Sequence, residues 1–90
     1  MVVLKGTFEI PLDDLAAVQA EVATHIELTQ GEPGCVSFDL SLVEGTPNIY
    51  QVFEQFDSRA SFEAHQQRVK NSKWGQVTHR CVRNYSVKDI

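Results

Sequence analysis

Two cysteines in ninety residues, Cys35 and Cys81, are too few to staple a secreted disulfide scaffold. They form no C-x-x-C pair, and no two histidines stand at i, i+3 or i+4, so zinc has no ligand spacing here. Long apolar runs are missing as well. The opening Met1-Val2-Val3-Leu4 is interrupted by Lys5, so we expect neither a signal peptide nor a membrane span there. Basic residues are outnumbered: eight Lys and Arg against twelve Asp and Glu give a net charge of −4. That is ordinary solubility rather than the basic footprint of a nucleic-acid binder. Glycine-rich phosphate loops, the G-x-S-x-G elbow and the dinucleotide fingerprint are all absent. An enzyme built on this chain would work without a bound nicotinamide or flavin, and its substrate would supply the reactivity. The cysteine usage and the short apolar start lead us to expect a cytoplasmic protein with reduced thiols.

What is present is one domain's worth of patterned sequence, residues 1–90. A chain this short buries a modest share of its surface. Without disulfide or metal, a second subunit is the expected source of further burial. Val2, Leu4, Gly6, Phe8 and Ile10 alternate with Val3, Lys5, Thr7 and Glu9, the period of a half-buried strand. Pro11 ends it and opens a helix, with Asp13 and Asp14 complementing the helix N-terminus. From Leu12 to about Thr29 the apolar stripe is Leu15, Val18, Val22 and Ile26, with His25 at its edge. Gly31, Pro33 and Gly34 stop the helix.

Cys35–Val43 alternates again, with Val36, Phe38, Leu40 and Leu42 as its apolar face and Cys35 on the milder one. After the turn 44–48, Ile49–Phe56 is apolar on both sides: Ile49 and Phe53 on one, Tyr50, Val52 and Phe56 on the other. A strand apolar on both faces is expected to be covered on both, which argues for a homodimer. Asp57 or Ser58 caps a second helix that aligns Phe62, His65 and Val69. Ser72 then caps a short extra helix carrying Trp74 and Val77. Cys81–Val87 is the last strand, with Tyr85 on the Cys81, Arg83 and Val87 side. The order β-α-β-β-α-β predicts an α+β, ferredoxin-like fold: a four-stranded antiparallel sheet with helices on one face.

His65 is the most suggestive single residue. Its stripe position turns the ring toward the sheet, where a half-buried imidazole serves as base or donor near neutral pH. The alternative is a histidine that bonds a backbone carbonyl and holds its helix in place. Glu54, among apolar neighbours, must be paired, protonated or wet. It either pairs with His65 and sets its tautomer, or joins Arg59 or Arg83 in an ion pair. Trp74 walls a flat ligand or simply lids the core. His25 and His79 are weaker candidates, and both cysteines read as small buried hydrophobes.

Three segments carry a family resemblance. Glu32-Pro33-Gly34-Cys35 runs into Val36-Ser37-Phe38-Asp39-Leu40, followed by Phe53-Glu54-Gln55-Phe56 and then Phe62-Glu63-Ala64-His65. In this order and spacing the chain resembles the antibiotic biosynthesis monooxygenase (ABM) domain family over nearly its whole length. The resemblance implies a dimeric α+β barrel, with two sheets packed face to face. It also implies cofactor-free oxidation of a quinol, anthrone or other small phenolic ring by dioxygen. Such an enzyme needs a base, a water-poor pocket and donors for the developing charge. On that reading His65 and Glu54 are the candidate catalytic residues. Phe38, Tyr50, Phe62 and Trp74 are candidates for an aromatic wall that binds the substrate. Relatives of this fold also degrade haem, isomerise small hydroxyketone phosphates or have no known reaction, so fold does not decide the activity. Against the haem branch, the first strand lacks an Asn and His65 precedes Trp74. The isomerase branch calls for a basic pocket that the scattered Lys and Arg do not suggest. A non-catalytic, dimeric ligand-binding module is the reading from another class, and an isomerase of a small hydroxyketone on the same fold is the third.

Overall fold

The computed structural model describes residues Met1–Ile90. Its elements are β1 (Val2–Glu9), α1 (Leu15–Gln19), α2 (Val22–Gln30), β2 (Cys35–Leu42), β3 (Ile49–Phe56), α3 (Arg59–Lys70), α4 (Lys73–Val77) and β4 (Val82–Asp89). The strands form one sheet in the order β2-β3-β1-β4, every neighbouring pair antiparallel. This is the expected ferredoxin-like α+β arrangement.

Register decides which side chains share the space under the helices. Phe38, Glu54, Leu4 and Val87 form one row across the sheet, and Leu42, Tyr50, Phe8 and Arg83 another. Between them lie Leu40, Val52, Gly6 and Tyr85. The alternation read in β1 holds: Val2, Leu4, Phe8 and Ile10 are buried, while Lys5 and Glu9 are exposed.

Two local expectations are corrected. The stretch read as one helix from Leu12 to Thr29 is a 3-10 turn (Leu12–Asp14) followed by α1 and α2, with a break at Ala20-Glu21. At the break Glu21 N–H bonds back only three residues, to the Val18 carbonyl at 3.0 Å, which tightens the turn and re-aims α2. As a result His25 and Thr29 are buried with Val18, in place of Ile26. In β2, Cys35 and Ser37 oppose the adjacent residues Phe56 and Gln55, so Val36 is the extra residue of a β-bulge. The bulge leaves Val36 54 % exposed and moves Cys35 to the Phe38 side.

The caps fall where the sequence places them. Ser58 accepts from Ser61 N–H at 3.1 Å and Ser72 from Gly75 N–H at 3.1 Å. The opposite face of the sheet is uncovered in the single chain. There Val3, Ile49 and Phe53 are half-buried, and Phe53 with Lys5, Thr7 and Gln51 lines a trough of about 1050 Å³.

Candidate functional site

Between the helices and the sheet lies a second cavity, of about 420 Å³, that contains the titratable chemistry. Its floor is made by Leu4, Phe8, Leu40 and Val52 from the strands, and its roof by His25, Val69 and Trp74 from the helices. His65 and Glu54 meet inside it.

α3 positions His65. The Ser58 cap fixes where the helix starts, so Phe62 and His65 face the sheet and are buried. The His65 ring is 2 % exposed and packs 5.0 Å from the Phe56 ring. Its Nδ1 lies 2.6 Å from Glu32 Oε1. Glu32 Oε2 accepts from Arg68 Nε at 3.1 Å, and Arg68 also donates to Thr29 Oγ1 at 3.1 Å. A carboxylate already paired with a guanidinium acts as an acceptor, so Nδ1 carries the proton and donates. That leaves His65 Nε2 as the free nitrogen, and it faces Glu54 Oε2 at 3.7 Å. The gap is too long for a hydrogen bond, so Glu54 acts on the ring as a nearby charge. Burial pushes the His65 pKa down, but the Glu54 and Glu32 carboxylates outweigh it and hold the imidazole above its ordinary value.

Glu32 reaches His65 because of the turn before β2. Gly34 adopts φ +83°, and a Cβ there would overlap Ser61 Oγ and Asp57 Oδ1. Asp57 N–H donates to the Gly34 carbonyl at 2.8 Å. The turn thus lies flat against the start of α3.

The aromatic candidates divide. Phe38 and Trp74 line the cavity. Tyr50 and Phe62 are buried elsewhere in the core: Tyr50 stacks on Phe8 at 5.5 Å, and Phe62 packs on Phe56 at 6.0 Å beneath Arg59. Of the partners considered for Glu54, Arg59 pairs with Asp89 at 2.6 Å and Arg83 bonds Thr78 and Cys81, leaving His65 as its neighbour. The two thiols are ordinary: burial raises both pKa values.

Two participants escaped the sequence reading, and a third, His25, was ranked too low. His25 is buried and stacks on Trp74, with centroids 4.3 Å apart and planes within 4°. Burial, then the His65 and Arg68 charges, lower its pKa to about 3, so it stays neutral. A helical stripe of Val18, Val22, His25 and Thr29 would have located it. Tyr85 sits on the wall, where burial pushes its phenol up to about 12 despite the nearby Arg83 charge. Glu32 gave no local signal, because its partner is 33 residues away. No three His, Cys, Asp or Glu side chains are grouped to hold a metal ion. The arrangement can take a proton from a bound hydroxyl, hold it between carboxylates and keep water away from a flat apolar ligand.

The sequence profile of the family described as antibiotic biosynthesis monooxygenase matches residues 1–74. No curated protein sequence matches the chain significantly. Among solved structures, a candidate antibiotic biosynthesis monooxygenase from Nitrosomonas europaea is similar with a TM-score of 0.82 and 18 % identity, over 99 % of this chain and 97 % of that one. A Deinococcus radiodurans protein of the same description gives 0.77 at 16 % identity, over 100 % and 92 %. MupZ from Pseudomonas fluorescens gives 0.76 at 24 % identity, over 96 % of this chain and 65 % of that one. At these identities the likeness is one of fold.

Proposed function

The chain belongs to the antibiotic biosynthesis monooxygenase family, and from that premise we propose that it is a cofactor-independent monooxygenase acting on a small phenolic, quinol or anthrone-like ring. The observation that supports this reading is the buried His65, with Nδ1 held by Glu32 and Nε2 left beside Glu54 in a cavity with an apolar floor. A base whose second nitrogen is oriented by a carboxylate is a recurrent way to activate a hydroxyl.

His65 Nε2 accepts the substrate's hydroxyl proton, and the imidazolium is stabilised between Glu32 and Glu54. The electron-rich ring anion reacts with dioxygen at a ring carbon that carries hydrogen, forming a C–O bond. The O–O bond then breaks. One oxygen atom stays on the ring as a carbonyl and the other leaves as water, taking the hydroxyl proton and the ring hydrogen. Phenol plus dioxygen thus gives quinone plus water, with all four electrons supplied by the ring. Phe38 and Trp74, both packed on the His25 ring, contribute aromatic surface to the substrate pocket, and the apolar floor keeps bulk water from the anion. Tyr50 stacks on Phe8 of the floor, and Phe62 packs on Phe56, which backs the His65 ring.

We read residues 1–90 as a single domain that works as a homodimer through its open sheet face. No helix is long and apolar enough to cross a membrane. The competing reading, a non-catalytic ligand-binding module, draws on how little of His65 is exposed. Oxygen uptake with a panel of quinols, anthrones and phenols, with no cofactor added, separates the two. Uptake above the uncatalysed rate, lost in a folded His65→Gln or Glu54→Gln variant, supports the oxygenase. No uptake across the panel rejects it in favour of ligand binding.

A further inference from the structure

Arg59, Arg68 and Arg80 are paired with Asp89, Glu32 and Asp14. Arg83, the remaining arginine, has no carboxylate partner in the chain. It lies on the wall of the His65 cavity, whose only acidic lining residue is Glu54. It is nevertheless held firmly. Nη1 donates to the carbonyls of Thr78 (3.1 Å) and Cys81 (3.4 Å), and Nη2 to Thr78 Oγ1 (2.9 Å). Thr78 is fully buried and its hydroxyl donates to the Trp74 carbonyl at 2.6 Å, so the anchor is rigid.

A guanidinium has five N–H groups. Apart from the Tyr85 phenol, which lies within reach of the guanidinium, no other protein group takes Nε–H or the second Nη2–H. Those two lie along one edge of the plane, the edge that grips a carboxylate with two parallel bonds. If capping the end of α4 were its whole purpose, the charge would still lack a counter-ion. Lys70 lines the same cavity and adds positive charge, in a chain whose net charge is −4. Arg83 stands opposite Phe8 and Glu54 opposite Leu4. Their rows are four residues apart, about 13 Å along the sheet. A ligand can therefore place a hydroxyl at His65 and an anionic group at Arg83 at the same time.

We infer that the ligand is a hydroxylated aromatic carboxylic acid, its carboxylate held by the free edge of Arg83 and its hydroxyl directed to His65. This rests on reading the cavity as the substrate site and narrows the substrate to an acid.

Calorimetric titration of the full chain with 4-hydroxycinnamate and with its methyl ester tests the inference without turnover. The acid is expected to bind about tenfold more tightly than the ester, the effect of two charge-assisted hydrogen bonds to a guanidinium that solvent still reaches. The preference should collapse in Arg83→Gln, shrink in Arg83→Lys, which lacks the planar fork, and persist in Arg80→Gln. Equal binding of acid and ester by the unmodified protein overturns the inference, even if Arg83→Gln does not fold. So does a preference that survives Arg83→Gln. Acid preference without oxygen uptake would leave the Arg83 site standing and remove the oxygenase reading. Uptake on neutral phenols without acid preference would do the reverse.

Discussion

Glu32 and His65, 33 residues apart, meet at 2.6 Å, and this contact sets the direction of the imidazole. It ties the turn before β2 to α3 and leaves a single nitrogen facing the cavity. Arg68 completes the clamp from one turn further along α3. Glu32 touches no cavity space itself and is a positioning residue.

Glu32→Gln should therefore change more than stability. Loss of a charge-assisted hydrogen bond costs about 2 kcal/mol, measurable by urea denaturation. The His65 pKa should also fall, because one of the two carboxylates that raise it is gone. On the oxygenase reading, kcat/KM drops as pH falls through the His65 pKa, since a protonated base cannot accept. That limb should lie above pH 6.5 in the unmodified protein and move to lower pH in Glu32→Gln. An unmoved limb and an unmoved NMR titration of His65 would rule out the positioning role.

The two buried histidines oppose one another in acid. The raised pKa of His65 means that its stabilisation is fully present below about pH 6.5, the unfolded value, and is lost as pH rises through the folded value. His25 is lowered to about 3, so its contribution is present above about 6.5 and is lost as pH falls toward 3. Stability from this pair should peak near pH 6.5. His25→Phe keeps the ring stacked on Trp74 and removes the buried Nδ1, which has no partner. The variant should gain about 1 kcal/mol at neutral pH and lose much of the acid decline. Thermal unfolding across pH 4 to 8 tests both statements, and an unchanged acid limb would contradict the assignment to His25.

Gly34→Ala should be costly for a residue in a surface turn. A positive φ and overlap with Ser61 together cost about 2 kcal/mol. Because the turn carries Glu32, the same variant should loosen His65, seen as a shifted ring resonance at neutral pH. A substitution without effect on either would detach the turn from the site.

Strand alternation, helix caps and turn glycines placed most elements, because each depends on neighbours in sequence. Ser58 and Ser72 were legible as caps for this reason. The break at Glu21 was not: the Leu15 to Ile26 stripe fits an unbroken helix, and only packing reveals that His25 turns inward. The bulge at Val36 was hidden in the same way, since an apolar residue beside another apolar residue reads as simple alternation. His65 and Glu54 could be named from their faces. Glu32 and Arg83 could not, as their roles rest on contacts between distant segments and on which charges remain unpaired.

The sheet face away from the helices offers the last test. Val3, Ile49 and Phe53 are only half-buried there, on a chain of 10.1 kDa that has no disulfide. A domain this small gains from covering such a face, and two copies packed sheet to sheet would do so symmetrically. Sedimentation at micromolar concentration should therefore report twice the chain mass. Phe53→Glu places a charge at the middle of that face and should shift the equilibrium to monomer. Far-UV circular dichroism should be unchanged, because Phe53 points away from the core formed by Tyr50, Val52 and Phe56. The monomer should also unfold at lower denaturant, since the partner no longer covers the sheet. A wild-type monomer at that concentration would mean that the polar residues Lys5, Thr7 and Gln51 keep the face in water.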